Sequence, residues 1–197
     1  MTTPTSTAIS RARPRAIGVA WLGAALALLV ACSAASSSPG PLPAREDVYQ
    51  FDSFEQMAAT ADLVVRAEVS SSEEGRVAGE PGPDGNGDLQ FFDFSLSAVE
   101  TLKGTTPGQL IVELDEIWQP FHVGDEGIFF LEAIEGRQGA YILISSTGAF
   151  ILQDDKVHAS NPEYEWVSPA ESMSSAEFVE FVKQAIAADA EAVPPAF

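Results

Sequence analysis

From Leu63 to Leu152, apolar residues recur at every second position, in runs broken by Gly, Pro and Asp. A period of two places successive side chains on opposite faces of an extended strand, so each run predicts a strand with one face turned to a core. The first run sets Leu63, Val65, Ala67 and Val69 against Val64, Arg66, Glu68 and Ser70. Ser71 to Asp88, rich in Gly, Pro, Glu and Asp, reads as a long polar loop. The second strand carries Phe92, Phe94, Leu96 and Ala98 on one face and Asp93, Ser95 and Ser97 on the other, ending at Lys103-Gly104. Pro107-Gly108 turns into a third, with Leu110, Val112 and Leu114 inward and Glu113 and Asp115 outward. Ile128–Leu131, Tyr141–Ile144 and Ala149–Leu152 supply three more, and Gln153-Asp154-Asp155-Lys156 closes a hairpin. Six short strands with regular turns predict a mainly β, α+β domain built as a small antiparallel barrel or sandwich.

A helix is predicted at each end. Ser53 with Gln56 forms a capping box before the stripe Phe54, Met57, Ala58 and Ala61. Ser174 with Glu177 forms a second, and Met173 is placed to staple onto Phe178. Phe178, Phe181, Val182, Ala185 and Ile186 then fall on one amphipathic face that packs on the body of the domain.

Upstream of this body the chain has another character. Arg11, Arg13 and Arg15 precede an apolar run from Ala16 to Val30, followed by Ala31 and by Cys32, the chain's one cysteine. Fifteen apolar residues, many of them Ala and Gly, are too few to span a bilayer comfortably, so the run reads as a cleaved secretory signal. Leu29-Val30-Ala31-Cys32 resembles the lipobox of bacterial lipoproteins. The resemblance implies cleavage after Ala31 and a diacylglycerol on the Cys32 thiol, with two or three acyl chains holding the protein on the extracytoplasmic side of the cell membrane. The expected organisation is a signal over 1–31, a lipidated tether over 32–48, a barrel with its C-terminal helix over 49–190 and a tail over 191–197.

Charge narrows the partners. Beyond Ala31 only seven basic residues face 29 acidic ones, a net charge of −22. Such a surface repels phosphate backbones, which argues against nucleic acid, and repels anionic headgroups, so attachment rests on acyl chains. With its thiol acylated the chain has no disulfide, and its core must stand on packing.

Ala61-Asp62-Leu63-Val64-Val65, Val99-Glu100-Thr101-Leu102-Lys103-Gly104, Val123-Gly124-Asp125-Glu126-Gly127-Ile128-Phe129-Phe130-Leu131 and Gly148-Ala149-Phe150 follow in that order. The pattern is similar to the small barrels of uncharacterised bacterial secreted proteins that look like the OB-fold domains of tissue inhibitors of metalloproteinases. The likeness spans about residues 61–158 and implies an OB-like barrel. It does not bring protease inhibition, because those inhibitors use a free N-terminal cysteine and a disulfide frame, and here the lone cysteine is spent on lipid.

The sequence carries no Gly-x-Ser-x-Gly elbow, His-Glu-x-x-His pair or phosphate loop. His122 and His158 are far apart and each lies beside turn residues. Calcium is the one cofactor the spacing raises, because Asp84, Asn86 and Asp88 alternate in a Gly-rich loop. The EF-hand pattern fails at Leu89, where Gly belongs, and at Ser95, where Glu belongs, and a solvated loop is the competing reading. Ile117-Trp118-Gln119-Pro120-Phe121 with His122 is the candidate recognition patch if Trp118 and Phe121 are exposed. The competing reading is that both aromatics cover an open end of the barrel. The expected role is a membrane-anchored, non-enzymatic binding module for a protein or cell-wall partner. A calcium-binding protein and an unrecognised hydrolase are the alternatives.

Overall fold

A computed structural model describes residues 49–78 and 89–195. A helix α1 (Phe54–Thr60) is followed by strands β1 (Leu63–Ala78), β2 (Leu89–Lys103), β3 (Leu110–Asp115), β4 (Glu126–Ala133), β5 (Ala140–Leu143), β6 (Ala149–Gln153) and β7 (Lys156–Ala159). Helices α2 (Ser168–Glu171) and α3 (Ser175–Ala187) end the domain. The strands run in the order β1-β2-β3-β5-β4-β6-β7, and a further β1–β4 pairing joins β4 back to β1. Five strands therefore close a small OB-like barrel, and β6 and β7 extend the sheet outside it. All pairings are antiparallel except β3–β5, which is parallel through Ile111↔Ala140 and Val112↔Tyr141.

Strand alternation divides the apolar residues between two cores. Leu63, Val65, Ala67 and Val69 of β1 join Phe94, Leu96, Leu110, Val112, Leu114, Phe129 and Leu131 inside the barrel. Val64, Ile128, Phe130 and Phe150 point outward, into a second core roofed by Phe54, Met57 and Phe178 from the helices. The unbroken run Ile128–Leu131 is explained by this arrangement: all four residues are fully buried, two on each side of β4.

The helix signals act locally. Ser53 Oγ accepts from the Gln56 N–H (3.3 Å), while the Gln56 side chain accepts from Asp52 N–H (2.9 Å). The Ser174–Glu177 box forms in full, and Phe178, Val182 and Ala185 of α3 are buried. Asp154 and Asp155, at φ 52° and 58°, make the two-residue hairpin turn into β7, a strand beyond the expected six.

Two findings depart from the expected loops. Ser71 to Ala78 continue β1 rather than forming a loop. No apolar alternation marks this arm, because neither of its faces meets a core; pairing with β2 from Ser71↔Ser95 to Ala78↔Leu89 makes it a strand. The β3–β4 connection is also a plug. Trp118 is 3% exposed and Phe121 0%, and Phe121 sits edge-to-face on Phe94 and Phe129 at 5.1 Å in both cases.

Lys103 secures α1 to the barrel. Its Nζ donates to the carbonyls of Ala58 (2.8 Å), Ala59 (2.8 Å) and Ala61 (2.6 Å), at the end of the helix where a cation is favoured. Next to it Gly104 has φ 82°, and a Cβ there would lie 2.5 Å from the Asp62 carbonyl oxygen. Lys103→Met should cost about 2–3 kcal/mol, since it strips charged donors from three carbonyls. Chemical denaturation of both proteins at pH 7 checks this; a change within about 0.5 kcal/mol would make the clamp a surface ornament.

Candidate functional site

The outer face of β2 and β3 presents carboxylates side by side. Glu73, Asp93 and Glu113 are register partners across β1, β2 and β3, so they share one face of the sheet. Like charges placed opposite one another destabilise a sheet unless cations intervene. Here two arginines do so. Arg76, from the β1 arm, donates through Nε to both Glu113 oxygens (2.9 and 3.0 Å) and through Nη2 to Oε1 (2.7 Å). Arg137, from the β4–β5 turn, donates to Glu113 Oε2 and reaches Asp93 Oδ2 at 3.6 Å. The Glu113 side chain is 1% exposed, against 50% for Arg76 and 39% for Arg137. The arginines thus cover a buried carboxylate and turn their outer edges to water.

Neighbouring groups complete the face. The Arg76 guanidinium lies 4.0 Å from the Phe91 ring centroid, in cation–π range. Gly75 leaves room for Asp93, whose Oδ1 is buried and has no hydrogen-bond partner among the described residues. Beside Arg137 a shallow cleft of about 420 Å³ is lined by Ile134, Gln138 and Tyr141. Burial drives the Glu113 carboxyl upward, but the hydrogen bonds and charges of Arg76 and Arg137 outweigh it and hold the group below the usual carboxylate range. The same bonds raise Arg76 further above its already high value.

Other sequence candidates lie elsewhere. Trp118 and Phe121 belong to the barrel interior, so the exposed recognition patch is corrected: their ring area is spent closing the barrel end. His122 does lie on the surface, with Nδ1 3.7 Å from Asp125. His158 sits on β7 opposite Ile151, on a different element. Among the described residues no group of three or more His, Cys, Asp or Glu is placed to hold a metal. Asp84, Asn86 and Asp88, like Ala31 and Cys32, lie outside the described residues. The buried hydroxyls of Ser145 and Thr147 bond each other at 2.7 Å in the turn before β6, where Thr147 also meets Met57 sulfur at 3.9 Å, a packing role.

Arg76, Asp93 and Arg137 were not singled out by sequence reasoning. Arg76 lies in the stretch whose composition predicts a loop, and Arg137 lies between two predicted strands, and neither segment shows any apolar periodicity. The available signal was Glu113, an acid at the centre of an apolar strand. No protein-family model matches the chain, and no curated protein aligns with it.

Glu113→Gln should lower stability at pH 7 by about 2–3 kcal/mol, less than the loss at a fully buried pair because both arginines keep contact with water. A depressed native pKa stabilises the fold above the ordinary carboxylate range, and that stabilisation is lost as pH falls through the native value. The gap between wild type and variant should therefore close toward acid, as denaturant titrations from pH 7 downward will measure. A gap constant with pH would show that Glu113 acts by shape alone.

Proposed function

We propose that this chain is an extracytoplasmic, non-enzymatic binding module, held on the cell membrane by acyl chains on Cys32 and presenting the β2–β3 face to its ligand. The observation that carries the binding half is the Arg76–Glu113–Arg137–Asp93 cluster. Its groups suit recognition better than catalysis. A carboxylate held ionised is a poor proton donor near neutrality, and guanidinium does not give up its proton. The arginine edges, the Phe91 ring and the cleft at Gln138 and Tyr141 supply donors, an aromatic surface and shape.

The anchor half rests on the leader, the small residue Ala31 and the lone Cys32 behind it. Among the described residues no helix is long and apolar enough to cross a membrane. The likeness of the strand and turn pattern to small secreted barrels points to the same compartment.

Cys32→Ala should yield protein without acyl label that is either unprocessed or released from membranes. Metabolic labelling with a fatty acid, followed by fractionation and mass measurement of the N-terminal peptide, decides it. Acylated, membrane-bound Cys32→Ala protein would remove the anchor from the proposal.

A further inference from the structure

β1 is longer than the barrel it closes. It pairs with β4 only from Leu63↔Leu131 to Glu68↔Glu126. Bonds from Val69 N–H to the Asp125 carbonyl and from Gly124 N–H to the Val69 carbonyl end that contact. From Ser71 to Ala78 the strand is paired on one side only, to β2, and among the described residues no strand lies on its other edge. Backbone donors and acceptors along an open edge form a template for another strand.

The arm is held in place. Arg76 reaches across β2 to the buried Glu113, so the end of β1 is fixed to β3 by a multiply bonded ion pair. A fixed edge loses less freedom on binding than a mobile one.

Charge indicates the occupant. In the row Glu113, Asp93, Glu73 the first carboxylate has two arginines and the second has Arg137 at 3.6 Å. The third stands at the open edge and takes part in no ion pair among the described residues, and exposed Glu74 points to the opposite face. A second copy of this acidic chain would set glutamates against glutamates. An incoming strand with a lysine or arginine opposite Glu73 would give the last carboxylate of the row the partner the other two already have.

We propose that the outer edge of β1 over Ser71–Ala78 is a docking site for an extended, basic polypeptide segment that adds a strand beside the arm. The site borders the β2–β3 face and is braced by its Arg76–Glu113 pair, but it uses the backbone edge of β1 and Glu73, so the peptide test can fail while a ligand still binds that face.

The probe is a synthetic octapeptide of alternating lysine and threonine, added to the full chain in detergent while amide hydrogen exchange is followed. Protection should rise at alternate residues of Ser71–Ala78, and affinity should fall about tenfold or more when salt is raised from about 50 to 500 mM. Glu73→Lys should abolish the protection, and Glu163→Lys, at an exposed acid distant in sequence, should leave it. Protection confined to other strands, equal binding of the peptide with glutamate in place of lysine, or no protection at about millimolar peptide would overturn the proposal. So would protection of the edge that grows with protein concentration alone, which would assign the edge to a second copy.

Discussion

Burial of β4 on both faces organises the molecule. Ile128 and Phe130 face the helical layer while Phe129 and Leu131 face the barrel interior, all four at 0% exposure. Each such side chain contributes roughly 1.5–3 kcal/mol when removed from water. No single layer accommodates four consecutive apolar residues on a strand, since alternate side chains diverge. The chain must therefore supply apolar cover on both sides, and it does so with the barrel wall on one and α1 and α3 on the other. β4 also bonds to three strands: β1 along one edge, and β6 and β5 along successive parts of the other. Barrel closure and sheet extension both pass through it.

The polar counterpart is Glu113. A carboxylate at the centre of β3, on the outer face, would be costly if left buried and bare. Arg76 and Arg137 come from two different elements, the β1 arm and the β4–β5 turn, neither of which belongs to β3. One buried charge thus draws both onto the same face. The ion pairs specify where these elements lie more than they add to net stability. In a chain with 29 acidic and 10 basic residues, a patch where two arginines cover a buried carboxylate stands out.

Much of this was legible in the sequence where the signal is local. Ser174 and Glu177 three apart cap α3 as written, and the alternation from Leu63 to Val69 gives the barrel part of β1 its register and inner face. The run Ile128–Leu131 gave a strand but not its two-sided burial, which needs both layers in place. Trp118 and Phe121 fitted either a plug or a patch, because an aromatic pair in a loop has the same sequence in both cases. Ser71–Ala78 defeated the pattern: a strand with no core on either face has no reason to alternate.

The sequence by itself determined the elements with a built-in period or cap, since each depends on residues within a few positions of one another, and the acidic balance, which is a sum over composition. Tertiary structure alone decided the parallel β3–β5 contact, the closure of β1 on β4, the burial of the two aromatics and the meeting of Arg76, Asp93, Glu113 and Arg137. Those four residues come from three strands and a turn spread over about 60 positions. Their encounter follows from the order in which a twisted sheet closes, and no local spacing encodes that order.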